Sequence, residues 1–214
     1  REGFDGIDID FEAKKHETLT YFSTFLKGMN QRMSKNWVYC TIESRTPLEE
    51  RYSNGTKIPS DADDVANDFI EINKYCDRVE IMAYDQGTVA VRLNSARAAP
   101  YAPVADPAWV ENLVHLAAQT ISRNKLILGI PTYGYEYTVT PLGGGSFKYE
   151  RLWAFNPRYA TDIAAKLGIT PARTSGGELG FSYDSALLPA PTGDDATQVQ
   201  QANLPTTTVG LNAG

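Results

Sequence analysis

The sequence predicts an α/β fold of parallel βα units, most economically part of a (β/α) barrel or of a doubly wound sheet. Two observations carry this. Short runs of strand formers alternate with segments whose apolar residues recur every three or four positions. The helical segments between successive strands are long enough to make βαβ crossovers.

Phe4, Ile7, Ile9 and Phe11 mark a strand over residues 4–11. Leu19, Phe22, Leu26, Met29 and Met33 then follow helical spacing, so residues 17–34 form an amphipathic helix. Residues 37–42 are a second strand. A polar connection with Pro47, Asn54, Gly55 and Pro59 leads to a second helix. Its stripe is Val65, Phe69 and Ile72, with N-cap chemistry available from Asp61 and Asp63. Residues 78–84 are the third strand. After a loop over residues 86–106, Pro107 opens a helix carrying Val110, Leu113, Val114 and Ala117, and residues 126–130 are the fourth strand.

Beyond Tyr133 the alternation stops. A Gly143-Gly144-Gly145 turn, a helix over residues 157–167 and a strand over residues 179–183 suggest a small α+β insertion. From Leu188 onward Pro, Thr, Gly, Gln and Asn dominate, which reads as loop or disorder. The expected organisation is therefore barrel over residues 1–134, insertion over 135–187 and a loop-rich tail over 188–214.

Composition narrows the function. The 214 residues are 42% hydrophobic and 21% charged with a net charge of −6, an ordinary globular balance. No apolar stretch reaches the roughly 20 residues of a membrane-spanning helix. An acidic chain without a dense Lys/Arg run repels phosphates, so neither nucleic acid nor an anionic membrane is expected as a partner, and a neutral or cationic ligand suits it better. Cys40 and Cys76 are too few for a multi-bridge framework and lack the company a zinc site needs; they read as small buried hydrophobes. The chain opens at Arg1 directly into a strand, which suggests a start inside a domain and leaves the compartment unread from this end.

The first strand is anomalous for a parallel sheet, whose strands usually read apolar on both faces. Asp8, Asp10 and Glu12 lie at i, i+2 and i+4, so all three project from one face while Ile7, Ile9 and Phe11 project from the other. Turned into a barrel interior, unpaired ionised carboxylates cost several kcal/mol. Carboxylates this close cannot all ionise freely, so one can keep its proton and act as an acid near neutral pH, and Glu12 at the C-terminal end of the strand has the position for it. Two other readings of the acidic face stand beside this one: an edge strand facing water, and a metal site, which has no adjacent His to support it.

The segment Asp5-Gly6-Ile7-Asp8-Ile9-Asp10-Phe11-Glu12 resembles the DGxDxDxE signature of glycoside hydrolase family 18, the chitinases and their relatives, at every fixed position. Met82-Ala83-Tyr84-Asp85 resembles the family's MxYD motif, and Gly129-Ile130-Pro131-Thr132-Tyr133-Gly134 its GxPxYG motif, in the right order at βα spacing. The resemblance implies strands 4 to 7 of a (β/α)8 barrel, a central fragment of the catalytic domain without the upstream strands and the last one. It implies Glu12 as the general acid, Asp10 as the residue that orients the substrate's acetamido group, and Asp8 as a partner that tunes Asp10. The substrate's own carbonyl oxygen is then the nucleophile, and the intermediate is an oxazolinium ion. Tyr84 is implied to bond the acetamido group, Met82 to floor the sugar, and Asp85 and Tyr133 to contact it. For Met82, Tyr84 and Tyr133 plain core packing is the competing reading.

The implied function is cleavage of β-1,4 bonds next to N-acetylglucosamine, in chitin or chito-oligosaccharides. A peptidoglycan- or N-glycan-directed relative and a non-catalytic chitinase-like lectin are the alternatives; the retained Glu12 argues against the lectin. No metal or organic cofactor is implied, family membership suggests secretion, and the oligomeric state is left open. Gln86 and Tyr135 depart from the residues common at their positions in the family, the second standing where an Arg is frequent, which puts substrate preference in question. Glu43 and Arg45 lie just past the second strand, placed to pair with each other or to meet sugar. Tyr101, Trp109, Tyr135, Tyr137, Phe147, Tyr149 and Trp153 could stack on sugar or simply form the insertion's core.

Overall fold

The computed structural model describes residues 3–47, 51–52, 57–60, 62, 65–86, 103–144, 146–184 and 208–213. The chain divides into two compact units. The first comprises Arg1–Tyr84, Thr88–Arg92 and Ala108–Ile130, and the second Asp85–Gly87, Leu93–Pro107 and Pro131–Gly214.

The first unit is the expected parallel sheet. Strands β1 (Gly6–Asp10), β2 (Trp37–Ile42), β3 (Arg78–Met82) and β4 (Leu126–Gly129) lie in the order β1-β2-β3-β4, every pair parallel. Helices α1 (Leu19–Met33), α2 (Phe69–Tyr75) and α3 (Pro107–Ala117) are the crossovers between them. One sheet face is apolar: Ile9, Val38, Cys40, Ile42, Val79 and Ile81 are buried, as are Phe22 and Leu26 of α1 and Ile72 of α2. Each such side chain contributes about 1.5–3 kcal/mol through removal from water.

Helix α2 begins later than its apolar stripe suggests, and its cap is neither Asp61 nor Asp63, which lie outside the described residues. Asp68 caps it, accepting from the N–H of Ile70 at 2.9 Å and of Glu71 at 3.2 Å. The Lys125 ammonium donates to the carbonyls of Asn73 and Cys76 at 2.5 and 2.9 Å, satisfying the C-terminal end of the helix.

The two cysteines depart from the expectation. They are buried, but they are joined: Cys40 of β2 and Cys76 after α2 form a disulfide with Cα atoms 6.0 Å apart. Neighbouring strand and helix ends bring them together, a proximity that their 36-residue separation in sequence conceals. Beside the bridge, Asp77 locks onto Val38, its N–H donating to the Val38 carbonyl at 2.7 Å and its carboxylate accepting the Val38 N–H at 2.8 Å.

Among the described residues, the second unit is a five-stranded antiparallel sheet and one helix. Strands β5 (Gly134–Gly143), β6 (Ser146–Phe155), β7 (Ala172–Arg173), β8 (Leu179–Asp184) and β9 (Thr208–Ala213) are arranged β6-β5-β9-β8-β7. Helix α4 (Pro157–Leu167) has Asn156 as N-cap, Pro157 in its first turn and Gly168 at φ 65° beyond its end. Ala160 and Ile163 of α4 pack with Phe155 and Tyr183, so the helix covers the sheet face that carries those two residues. Residues 208–213, assigned by composition to a loop-rich tail, are instead the strand between β5 and β8. The rest of that tail and the Asn54-Gly55-Thr56 sequon lie outside the described residues.

Between β5 and β6 the register slips by one. Glu136 faces Trp153, but Tyr137 faces Arg151, leaving Leu152 as an extra residue in β6. Such a bulge reverses the side to which the following side chains point. Leu152 packs against the core under α4, and Arg151 joins the opposite face, that of Tyr135 and Tyr137.

Candidate active site

Residues opposite each other in a parallel ladder share a face, so the register reads out the second face of the first sheet. Asp8 lies beside Tyr39 and Arg78, and Asp10 beside Thr41, Glu80 and Ile127. Asp8, Asp10 and Glu12 are exposed, so the burial cost expected of a closed interior does not arise in this four-stranded sheet. Asp8 is nonetheless held: the Thr41 hydroxyl lies 3.0 and 2.9 Å from its two carboxylate oxygens. Thr41 itself is buried. Gly6 of the same motif is fixed by packing, because a Cβ there would sit 2.6 Å from the carbonyl oxygen of Trp37 on the next strand.

Beyond Glu12 the chain turns through Ala13 at φ 50°. Glu43, one residue past β2, secures this turn. Its carboxylate accepts from the Ala13 N–H at 2.5 Å, from the Lys14 ammonium at 3.3 Å and from the Asn67 amide at 2.9 Å. Lys14 also donates to the carbonyl of Phe11. Glu43 is therefore a brace for the segment that carries Glu12, and Arg45 lies over the Phe69 ring, 5.4 Å from its centroid.

Met82 ends β3 on the face of Glu80 and pairs in register with Gly129 of β4. Tyr84 follows, and Gly129 makes room for it. A Cβ at Gly129 would meet Glu80 Oε1 at 3.0 Å, the Ile81 carbonyl at 3.1 Å and Tyr84 Cε1 at 3.3 Å. The first glycine of the third motif is thus dictated by Glu80 and Ile81 of β3 together with Tyr84 of the second motif.

In the second unit, Asp85 adopts φ 62°, a left-handed conformation uncommon for a residue with a Cβ. Its Oδ1 accepts from the hydroxyl of Tyr133 at 2.6 Å and from that of Tyr135. Burial pushes both tyrosines up from their ordinary range, Asp85 adding to the effect, so both stay donors. Gln86 is fully buried: its N–H donates to the Val104 carbonyl at 3.0 Å and its side-chain oxygen accepts the Asp106 N–H at 2.6 Å. Glu178 accepts the N–H groups of Val104 and Ala105 at 3.0 and 2.7 Å. Gln86 is a loop anchor, which a sugar-contacting position would not require.

The described residues contain no group of three or more His, Cys, Asp or Glu placed to hold a metal ion. The model for glycosyl hydrolases family 18 matches residues 1–199. The chain belongs to that family. An uncharacterized glycosylase, YvbX of Bacillus subtilis, is 26% identical over 184 residues, 86% of this chain and 47% of its own length. Among solved structures, a chitinase from Chromobacterium violaceum superposes with a TM-score of 0.65 at 20% identity, over 98% of this chain and 53% of its own. The spore cortex-lytic enzyme SleL of Bacillus megaterium gives 0.63 at 17% identity, over 98% and 40%. This chain thus spans about half the length of such relatives. Family membership and the superposed structures imply a TIM-barrel-type α/β fold.

All three family 18 motifs are on the strand ends the sequence assigns them. Of the predicted residues, Asp8, Asp10, Glu12, Met82 and Tyr84 belong to the first unit, and Asp85 and Tyr133 are bonded to each other in the second. Sequence reasoning passed over Thr41, Glu80 and Asn67. Thr41 lies on β2, the strand next to the motif strand, and Glu80 on β3, one strand further along the same row, a signal that emerges only once the register is known. The aromatics divide: Trp109, Tyr135 and Tyr137 are buried, while Phe147 and Tyr149 are partly exposed. Tyr101 lies outside the described residues.

Proposed function

We propose that this chain carries the reacting groups of a retaining glycosidase that cleaves β-1,4 bonds next to N-acetylglucosamine in chitin or chito-oligosaccharides. The observation that carries the reading is the single-file row of Asp8, Asp10 and Glu12 ending in a braced turn. Thr41 fixes Asp8, and Glu43 fixes the backbone just beyond Glu12. Glu12 protonates the glycosidic oxygen. Asp10 orients the acetamido group as its carbonyl oxygen attacks the anomeric carbon, and an anionic neighbour balances the developing positive charge. The bond to the leaving sugar breaks as the oxazolinium ring closes. Glu12, now a carboxylate, removes a proton from the water that reopens it, so configuration is retained.

Tyr84 serves the acetamido group, Met82 the sugar floor, and Asp85 with Tyr133 the sugar hydroxyls. The four parallel strands are read as strands 4 to 7 of an eight-stranded barrel. The Cys40–Cys76 bridge supports a place of action outside the reducing cytoplasm. A group II chitinase domain of Ostrinia furnacalis, solved with a chain of N-acetylglucosamine units, supports a substrate of this class. The cortex-lytic neighbours favour a second reading, in which the glycan is peptidoglycan.

The test is hydrolysis of a chromogenic N,N′-diacetylchitobioside by the full-length protein and its Glu12→Gln variant. Turnover lost by orders of magnitude with oligosaccharide binding retained is expected; turnover retained by the variant would remove Glu12 from the mechanism.

A further inference from the structure

A fourth carboxylate shares the face of Asp8 and Asp10, and neither the three motifs nor the reaction above gives it a role. Glu80 lies on β3, an internal strand of the first sheet, in register with Thr41 of β2 on one side and Ile127 of β4 on the other. Thr41 in turn pairs with Asp10, so Glu80 stands in the same row as that acid, two strands and about 10 Å of backbone away. Internal strands of a parallel sheet ordinarily read apolar on both faces, and a half-buried charge on one of them is costly.

Two observations separate Glu80 from a solvated surface acid. The first is its company. Asp8 takes the Thr41 hydroxyl, Glu43 braces the turn beyond Glu12, and Asp77 holds Val38. Among the described residues, Asp10, Glu12 and Glu80 have no hydrogen bond or ion pair of this kind. The first two are the acids the reaction uses.

The second is where the carboxylate goes. Glu80 Oε1 and Tyr84 Cε1 both lie within 3.3 Å of one point, the position a Cβ on Gly129 would take. Gly129 pairs with Met82, one step further along this face than Glu80, so the long side chain reaches up the sheet into the notch left by the missing Cβ. Cε1 belongs to the ring edge, beside the carbon that bears the hydroxyl. An aromatic edge is the positive pole of the ring quadrupole and attracts an anion.

We infer that Glu80 is a positioning residue of the reaction and acts through Tyr84. Its carboxylate at the ring edge sets the tilt of the ring and with it the direction of the hydroxyl that serves the acetamido group. The inference rests on the glycosidase reading and adds to the machinery a residue outside the three motifs. Every residue it involves belongs to the first unit. The Tyr84 bond tightens as the acetamido carbonyl oxygen attacks the anomeric carbon, so a misdirected hydroxyl is felt in the transition state more than in the bound substrate, and kcat falls while KM holds.

The experiment is a double-mutant cycle on the full-length protein: wild type, Glu80→Gln, Tyr84→Phe and the two combined, each with a chromogenic N,N′-diacetylchitobioside. Gln keeps the volume and reach of Glu and removes the charge. Glu80→Gln should lower kcat by about threefold to tenfold, the range of one favourable contact at an aromatic ring, with KM changed by less than about twofold. In the Tyr84→Phe background the same substitution should cost nothing further, because no hydroxyl is left to direct. An equal Glu80→Gln effect in both backgrounds overturns the inference, as does wild-type kcat in Glu80→Gln. Should the wild type cleave nothing, the glycosidase reading fails by itself. The cycle is then read as the affinity for a chitobiose-derived thiazoline, a stable mimic of the closed oxazolinium ring, and additive effects of the two substitutions there overturn the role of Glu80.

Discussion

The hydroxyl of Thr41 sits between the two carboxylate oxygens of Asp8, 3.0 Å from one and 2.9 Å from the other. Two adjacent parallel strands are thus joined at the acidic face by a side-chain bond as well as by their ladder. Hydrogen bonds to charged groups contribute about 1.5–3 kcal/mol. Thr41→Val keeps the shape and deletes the donor, so kcat/KM on a chromogenic chitobioside should fall by about tenfold or more, with Thr41→Ser recovering most of it. Wild-type activity in Thr41→Val would show that Asp8 needs no such hold.

The disulfide makes a second, purely thermodynamic prediction. Cross-linking residues 36 apart removes loop entropy worth about 4 kcal/mol from the unfolded chain. Cys40→Ala with Cys76→Ala should lower the denaturation midpoint accordingly. A reductant should lower the stability of the wild type and leave the double variant unchanged; equal sensitivity of the two would show that the bridge contributes nothing.

Glu136 of β5 is buried beneath α4, where it accepts a bond from the Tyr183 hydroxyl. Burial pushes its carboxyl up to about 7 against the pull of the Tyr183 and Tyr159 hydroxyls. The folded state therefore holds a proton that the unfolded chain releases near 4.5, and between those values stability falls as pH rises. The full contribution is present below about 4.5 and lost above about 7, with a span of up to roughly 3 kcal/mol. Measured as the difference between wild type and Glu136→Gln, melting temperatures should diverge with increasing pH, the wild type losing ground. Parallel curves would contradict the assignment.

Gly129→Ala places a methyl group 3.0 Å from Glu80 Oε1 and 3.3 Å from Tyr84 Cε1. Overpacking of this kind costs about 1–3 kcal/mol. Because one of the atoms in the way belongs to Tyr84, turnover should drop further than the loss of stability explains, a comparison made at a temperature where the variant is fully folded. A variant as active as wild type would mean that Tyr84 can shift without consequence.

The parallel half was legible because its signals are local and redundant: Ile9, Val38, Ile42 and Ile81 give the period, and Asp8, Asp10 and Glu12 break it on one face only. Helix α4 lies where the sequence places it, over residues 157–167, and the structure adds its caps, Asn156 and Gly168. What escaped depends on partners distant in sequence. Cys40 and Cys76 look like any two small buried residues until β2 and the end of α2 are neighbours. Thr41 is an unremarkable strand threonine until register sets it beside the acids. The composition of residues 208–213 argues for a loop, yet the edges of β5 and β8 supply the hydrogen-bonding partners that make it a strand.

That last strand has a consequence for biosynthesis. Residues 208–213 lie in the interior of the antiparallel sheet, and among the described residues β5 with β6 on one side and β8 with β7 on the other are bridged only through them. A ribosome making this chain releases the two flanking halves first, each with an unsatisfied edge, and the sheet can close only after residues 208–213 have cleared the exit tunnel. Until then the nascent second unit presents two open strands to every other chain nearby, so its yield should depend more on chaperone supply and synthesis temperature than that of the first unit, whose strands join in the order they are made.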